Sequence, residues 1–464
     1  MKPRADRFQE KSHEALDLVV LQGSLQRTTE RFVAARETAS GERADWEDLR
    51  TRARAARAGG MAKLDLYLVQ LERNVLKNGG SVFWAQDAAE ARDYVIGVAK
   101  RRGVRLAIKS KSMATEEIGL NEALEAAGVK PVETDLGEYI IQLAHDTPSH
   151  FLAPAIHWTK EAVGELFTRE LGAAPTTDPA ALTAIARVAL RRDFLSATMG
   201  ITGANFAVAD TGSIVVVENE GNARLTTSAP AVHVAIVGID KVVAQFADLE
   251  PLLMVLPRSA TGQRLSTYVS ILNGVRRSDE TDGPEEFHLV LLDNGRTQLL
   301  GDPEARESLY CVKCSACLAV CPVFRRAGGH AYGWVYQGPI GSVLTPGLLG
   351  VEHAATLPFA SSLCGACRDA CPIKIDIPRM LVHMRQRVIE EVERPKSPWS
   401  SWMMALAARV MASPTGFSVL GRMGYWGQRL GGKWFVPGPM AAWARGRAVP
   451  QIARRPLRAL VRDR

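Results

Sequence analysis

Seven cysteines are the only ones in this chain of 464 residues, and all fall within one window of 61 residues. They form two runs. The first run, C-x2-C-x2-C-x3-C-P, comprises Cys311, Cys314, Cys317 and Cys321. The second run, C-x2-C-x3-C-P, comprises Cys364, Cys367 and Cys371. Such spacing, with a proline after the last cysteine, is typical of chains that hold [4Fe–4S] cubanes. The pattern predicts that the protein moves electrons.

The same spacing predicts how the thiolates are shared. In paired runs the last cysteine of a run ligates the other cluster. Crossed ligation gives cluster one to Cys311, Cys314, Cys317 and Cys371. Cluster two receives only three, Cys321, Cys364 and Cys367, and Ser361 occupies the position of a fourth ligand. We expect cluster two to be the more labile, because oxygen ligation or an open iron holds a cube less firmly than a thiolate.

Two other roles for the cysteines are disfavoured. Zinc is bound by C-x2-C pairs, but two such sites would need eight ligands, and zinc does not call for the C-x3-C-P step. A zinc-stabilised interaction protein therefore stays an alternative only if the metal is not iron. Disulfides suit small exported domains, whereas this count is odd and the opening residues lack an apolar signal segment.

Length and composition limit the architecture. A chain this long predicts two or three domains. Hydrophobic residues make up 47% of it, and the mean hydropathy of −0.04 is that of a globular protein. We find no apolar run near the ~20 residues of a membrane span. A cytoplasmic location is expected, which also suits free thiols.

The net charge of +7 is unevenly distributed. Residues 395–464 hold twelve Lys or Arg and one acid, Asp463, for a net of +11. They also hold five of the nine tryptophans, Trp399, Trp402, Trp426, Trp434 and Trp443. The segment predicts a docking surface for a partner protein or for anionic lipid at the inner face of the membrane. An ordinary solvated helix pair explains it equally well, and nucleic acid is not expected.

Upstream, the residue pattern predicts alternating elements. Residues 1–80 are typical of a helical extension. Strands at 81–86, 104–111 and 129–136 then alternate with helices at 88–103 and 114–128. Further helices are predicted at 159–171 and 178–197, and further strands at 213–222, 231–240 and 287–295. This order indicates an α/β domain over 81–300 with a parallel sheet, followed by a mostly α-helical dicluster domain over 301–394 and the tail over 395–464.

Polar residues of the α/β part fall in three places. The glycine-rich stretch 200–225 contains Asn205, Asp210, Glu218 and Asn222, which either meet at strand ends as a ligand site or serve plain turns. The sequence Lys109-Ser110-Lys111-Ser112 follows a strand, where an anion could meet backbone N–H groups or where the strand end is simply solvated. His150 and His157 suit structural roles better than a metal pair. No dinucleotide, Walker or hydrolase motif is present.

The strings at 107–125, 133–143, 148–157, 200–212 and 361–378, together with the cysteine runs, resemble the lactate utilization protein B family over nearly the whole chain. The resemblance implies a three-protein system that oxidises L-lactate to pyruvate. In it, this chain would relay electrons through two [4Fe–4S] clusters towards a quinone or another downstream acceptor. It also implies a LUD domain with the α/β fold of CoA-transferases and sugar-phosphate isomerases, followed by a ferredoxin-type dicluster domain.

The resemblance carries over the seven cysteines as ligands and makes Ser361 part of the family pattern. It carries over no catalytic residue. An alternative therefore stays open, in which the chain is an oxidoreductase with its own small-carboxylate site in the LUD cleft. The residues suspected for that site are Lys109, Lys111, Asn205 and Asp210.

Overall fold

The computed structural model describes residues 3–393, 398–431 and 451–454. The chain divides into two compact units, one ending at Val388 and the other beginning at Ile389.

Ten strands build two sheets in the first unit. They are β1 (Ser81–Ala85), β2 (Leu106–Lys109), β3 (Lys130–Glu133), β4 (Met199–Thr202), β5 (Phe206–Val208), β6 (Ser213–Glu218), β7 (Val232–Gly238), β8 (Val242–Val243), β9 (Tyr268–Leu272) and β10 (Glu286–Leu292). Six of them form a fully parallel sheet in the order β1-β10-β7-β4-β2-β3. The other four form a smaller sheet in the order β8-β5-β6-β9.

The central strands of the large sheet, β4, β7 and β10, are buried on both faces. Every residue of β7 is buried, and its sequence VHVAIVG offers no polar face to water. Parallel strands of this kind need helices on both sides and connections long enough to contain them. The α/β class predicted from the sequence is confirmed, and so is the helix-rich region that follows.

Eighteen α-helices are described in the first unit, besides short 3-10 turns. They are α1 (Phe8–Asp17), α2 (Val19–Gly41), α3 (Trp46–Ala62), α4 (Leu64–Lys77), α5 (Ala88–Arg101), α6 (Met113–Glu117), α7 (Leu120–Ala126), α8 (Leu136–Leu143), α9 (Lys160–Leu171), α10 (Pro179–Ser196), α11 (Asn222–Ser228), α12 (Leu249–Ala260), α13 (Arg296–Gly301), α14 (Ala316–Ala319), α15 (Phe324–Ala327), α16 (Gly338–Leu349), α17 (Ala366–Ala370) and α18 (Ile377–Arg387). A π-helical segment, Val388–Glu393, follows α18.

The single helix predicted over 114–128 is wrong. The chain forms α6 and α7 instead, separated at Gly119, which adopts a left-handed conformation with φ of +63°. Arg92 donates a hydrogen bond to the carbonyl of Ile118 (2.7 Å) and so satisfies one end of the interrupted helix. The break turns α6 so that its residues meet the end of β2.

The N-terminal helices connect the α/β part to the cysteine segments. Helix α2 packs against α14 and α15, while α3 packs against α12 and β8. Helix α3 contributes Arg57, whose side chain is fully buried. Its guanidinium donates to the carbonyls of Tyr310 (3.1 Å), Leu309 (2.9 Å) and Val242 (3.1 Å), and also to that of Asp240. One side chain thus joins the end of β7 to the segment before Cys311.

The second unit contains α19 (Pro398–Ala412) and α20 (Pro414–Gly431). In the described ranges, no single helix is long and apolar enough to cross a membrane. The pair Trp402–Ala412 and Pro414–Leu430 meets that criterion only together, and it is bent by 103° at the break. The predictions for Trp399, Trp434, Trp443 and Asp463 concern side chains outside the described ones.

Arg57 provides a test of the connection between the helices and the cysteine segment. We expect Arg57→Ala to lower the free energy of unfolding by about 3 kcal/mol, because several buried carbonyls lose their donor at once. Arg57→Lys should recover only part of this loss, since an ammonium cannot reproduce the planar fork. The matched control is Arg52→Ala on the same helix, where an exposed pair with Glu250 is lost at a cost below about 1 kcal/mol. Equal denaturation midpoints for the Arg57 and Arg52 variants would contradict the prediction.

Candidate metal centre and the adjoining cleft

Four cysteines from the two runs meet at one place. Cys311, Cys314, Cys317 and Cys371 line a single small cavity, and all four are buried. The rest of the wall is mainly apolar and includes Val312, Ile340, Ile373, Ile375 and Ile377. The structure therefore brings together the four thiols that crossed ligation assigns to cluster one, and it surrounds them with side chains that exclude water.

The other three cysteines form a second set. Burial, followed by the neighbouring Cys321 thiolate, raises the pKa of Cys367 to about 12. Cys364 lies beside them and is exposed, whereas Cys321 and Cys367 are buried. Ser361 lies three residues before Cys364, and its hydroxyl accepts a hydrogen bond from the N–H of Leu363 (3.1 Å). This second set is open to solvent on one side.

The cysteine sulfurs are not gathered as closely as a single zinc ion would require. A tetrahedral zinc ion with bonds of about 2.3 Å requires its sulfurs to lie roughly 3.8 Å apart. Over the described residues, no three cysteine sulfurs lie within 4.8 Å of one another. A core of four irons spreads its thiolates farther apart than one ion does.

The cysteine loops adopt an unusual backbone. Four residues in or beside the two runs have left-handed φ angles between +52° and +59°, although none is glycine: Lys313, Ser315, Leu363 and Lys374. Each such residue costs roughly 1–2 kcal/mol, so their concentration here indicates a function for the loop geometry. The bent backbone aims N–H groups at sulfur, from Lys313 to Cys311 (3.4 Å), from Phe324 to Cys321 (3.5 Å) and from Ile375 to Cys371 (3.4 Å).

The buried thiols need positive charge nearby. Burial, followed by the neighbouring thiolates, raises the pKa of Cys314 and of Cys317 above the ordinary range. Four cations act on this set: Arg36 on Cys314 and Cys371, Arg50 on Cys371, and Arg57 and Lys241 on Cys311. A metal core supplies the remaining positive charge that keeps such thiols ionised. The donor set and its surroundings therefore fit an iron–sulfur cluster.

A cleft of about 310 Å³ adjoins the Cys311 loop. Its floor is the edge where β2, β4 and β7 end, which is where open α/β sheets bind ligands. Ser110, Lys111, Asn205 and Lys241 come from the α/β side. The opposite wall comes from the cysteine segment and contains Val312, Lys313 and Tyr336. The cleft is thus shared by both parts of the first unit.

The suspected polar residues are distributed differently around this cleft. Lys111, Asn205, Glu218 and Asn222 line it. Lys109 instead lies in the core, where it pairs with Glu133 (2.7 Å) and Glu116 (3.0 Å). Burial alone would lower the pKa of Lys109, but the two carboxylates hold it above its ordinary value. Asp210 does not line the cleft, and its carboxylate accepts from the N–H of Phe246 (3.1 Å).

Sequence reasoning missed Lys241, Lys313 and Tyr336. The ammonium of Lys313 lies 4.4 Å from the centre of the Tyr336 ring, and the Tyr336 hydroxyl donates to Glu117 (2.5 Å). Arg296 binds the same Glu117 (2.8 Å) and also Asp240 (2.6 Å). These residues belong to separate elements, so no local pattern connects them. The one sequence feature that could have indicated Lys313 is its position inside the first cysteine run.

The two histidines have separate local roles. His150 is buried, and its Nδ1 accepts from the N–H groups of Leu152 (3.0 Å) and Ala153 (3.1 Å). Burial, with Lys111 nearby, lowers the pKa of His150 to about 3.

His157 contacts Asp146 (2.8 Å) through Nε2 and Ser149 (2.7 Å) through Nδ1. Asp146, His157 and His330 form a group whose ligand atoms could hold a cation. The Ser149 hydroxyl is buried and also lies 3.2 Å from the Pro154 carbonyl. The arrangement therefore holds this loop together and does not present a nucleophile.

Comparison with known proteins gives matches along most of the chain. The LUD domain family matches residues 68–292, and the 4Fe–4S dicluster domain family matches residues 307–375. Lactate utilization protein B of Geobacillus kaustophilus is 43% identical over 463 residues, which cover 97% of this chain and 95% of that protein. Lactate utilization protein B of Bacillus subtilis is 45% identical over 395 residues, which cover 85% and 82%.

A solved DUF162 family protein from Deinococcus radiodurans is 12% identical and covers 50% of this chain and 98% of its own. Its TM-score is 0.28, and nothing is inferred from so weak a likeness. The dicluster match and the two cysteine sets agree that this is an iron–sulfur protein.

Proposed function

The chain belongs to the lactate utilization protein B family, and on that premise we propose that it is the electron-transfer subunit of a system that oxidises L-lactate. Two [4Fe–4S] clusters would supply one-electron carriers at the two cysteine sets. The observation that carries this proposal is the convergence of thiols from both runs at one buried cavity. A role in lactate use through iron–sulfur chemistry is common to this proposal and to the alternative of an oxidoreductase with its own substrate site.

We assign the ligands by the crossed pattern. Cys311, Cys314, Cys317 and Cys371 would hold cluster one, and Cys321, Cys364 and Cys367 would hold cluster two with Ser361 at the fourth position. The shared cavity supports the first set. For the second set, support comes from the mutual influence of the Cys321, Cys364 and Cys367 thiolates on their pKa values, in addition to burial.

The two sets suit different tasks in a relay. Apolar side chains keep water from the first set, and Arg36, Arg57 and Lys241 offset its negative charge. Cys364 of the second set is exposed, so a partner can approach it closely. The second set is therefore the exchange point with the other subunits of the system or with a quinone-linked acceptor downstream.

Metal analysis tests the redox proposal. Anaerobically purified protein should contain about eight irons with matching sulfide per chain, and the reduced sample should give the EPR signals of two cubanes. Bound zinc without sulfide would contradict the proposal. About seven irons with an oxidised [3Fe–4S] signal would show that Ser361 does not ligate.

Ser361 sets the stability of the second cluster. In an oxygen-exposure series, we expect the EPR signal of cluster two to decay before that of cluster one. Ser361→Cys should slow this decay several-fold, because a thiolate replaces a weaker ligand. Ser196→Cys is the control, since it adds a thiol at an exposed position on α10, and it should leave the decay rate unchanged. Earlier loss of cluster one would contradict the assignment.

The second candidate function is an oxidoreductase with its own small-carboxylate site. The observation that favours it is the cleft beside the Cys311 loop, where Lys111 and Asn205 lie at the ends of strands. In that case the chain would bind substrate as well as carry its electrons.

We also propose that the second unit binds an anionic membrane surface. Its two helices expose eleven large apolar side chains, which are Trp402, Met403, Met404, Leu406, Met411, Phe417, Val419, Leu420, Met423, Trp426 and Leu430. The tail carries a net charge of +11. Apolar surface beside excess positive charge is complementary to the interface of anionic lipids.

Vesicle flotation tests this surface on the full-length protein. Binding should occur to vesicles with phosphatidylglycerol and not to pure phosphatidylcholine, and added salt should weaken it. Trp402→Ser combined with Trp426→Ser should reduce binding at least tenfold. The control is Val188→Ser combined with Leu195→Ser, two side chains that are 75% and 77% exposed in the first unit. Absence of flotation with anionic vesicles would point to a protein partner instead.

A further inference from the structure

Two lysines meet beside the first cysteine run. The Lys241 ammonium donates to the carbonyl of Cys311 (3.4 Å), and the backbone N–H of Lys313 donates to the sulfur of the same residue (3.4 Å). Both lysines line the 310 Å³ cleft. The positive charge of each lysine stabilises an anion placed there, whereas the two ammonium groups repel each other.

The neighbouring carboxylates are already used by other cations. Asp240 lies 3.8 Å from the Lys241 ammonium, but it also binds Arg296 (2.6 Å). Glu117 binds Arg296 as well (2.8 Å). In the described chain, no carboxylate lies within 4.0 Å of the Lys313 ammonium, which rests on the Tyr336 ring. This wall of the cleft therefore carries excess positive charge that is largely shielded from water.

The α/β side adds further donors. The Lys111 ammonium is buried and has no hydrogen-bond partner among the described residues, although Glu138 lies 3.8 Å away. Asn205 uses its carbonyl oxygen for the N–H of Val217 (2.8 Å), which keeps its NH2 group for the cleft. An unpartnered buried ammonium is costly unless something else supplies an acceptor. Together these groups form a site for an oxygen-bearing anion.

The acidic residues of the cleft limit the size of that anion. Asp135, Glu218 and Glu220 line the same space, and the Glu220 carboxylate accepts from the N–H of Leu136 (3.1 Å). Glu220 reaches solvent, yet partial burial and then Asp135 raise its pKa to about 7. Three acids would repel a polyanion, whereas they can accept or donate hydrogen bonds at a hydroxyl or carbonyl. The mixture favours a ligand with one anionic end and one neutral polar end.

We propose that the cleft binds a small hydroxy- or oxo-monocarboxylate, with its carboxylate between Lys241 and Lys313 beside the Cys311 loop. This inference deepens the second candidate function and rests on it. It assigns the lysines as positioning groups for the carboxylate. The hydroxyl or keto end then lies towards Glu220 and Asn205, and the carboxylate lies next to the first cysteine set.

Calorimetric titration of the full-length, anaerobically purified protein tests the site. L-lactate, pyruvate and inorganic phosphate are the probes, and 1,2-propanediol is the uncharged control. We expect at least one of the two acids to bind saturably and the diol not to bind. Lys241→Met and Lys313→Met should each weaken that affinity at least tenfold. Lys100→Met, at an exposed position on α5, should leave it unchanged.

Iron content is measured on every variant, because Lys241 and Lys313 contact a proposed ligand. If either variant loses iron, Lys111→Met serves in its place, since Lys111 lines the same cleft beyond the end of β2. Absence of saturable binding by both acids would overturn the proposal, and so would binding that the lysine variants do not alter. Phosphate binding without acid binding would overturn the carboxylate assignment. None of these results affects the iron and sulfide count, so failure here is distinct from failure of the relay.

Discussion

Cys371 can share a cavity with Cys311, Cys314 and Cys317 only if two distant loops are held in fixed register. The arginines of α3 supply that constraint. Arg50 donates to the carbonyl of Cys371 (2.7 Å), and Arg54 donates to that of Lys374 (2.8 Å). Arg57 fixes the segment before Cys311 in the same way. Because these donors sit on one helix, the two cysteine loops cannot shift relative to each other without breaking several buried hydrogen bonds.

The same packing explains why charge accumulates around the first cysteine set. Buried thiolates require nearby cations, and the structure supplies them from α2, α3 and the end of β7. One of those cations, Lys241, also lines the cleft, as does the Cys311 loop through Val312 and Lys313. The electrostatic environment that suits a negatively charged cluster is therefore the one that suits an anionic ligand. The two proposals share one physical basis, although each has its own test.

The sequence predicted those features that depend on local residue patterns. Strands such as β7 were recognisable from their apolar residues, and the cysteine sets were recognisable from their spacing. The smaller sheet was not, because β5 has three residues and β8 has two, too few to show a period. The helical pattern of residues 1–80 did not indicate that Arg57, on α3, is fully buried. Lys241 and Lys313 meet only through folding, so neither could be assigned to a site in advance.

Iron-edge anomalous diffraction from crystals of the anaerobically purified protein tests the central claim most directly. The account predicts one group of iron peaks enclosed by Cys311, Cys314, Cys317 and Cys371, and a separate group beside Cys321, Cys364 and Cys367. Iron bound by Cys311, Cys314, Cys317 and Cys321 alone, with Cys371 turned away, would contradict it.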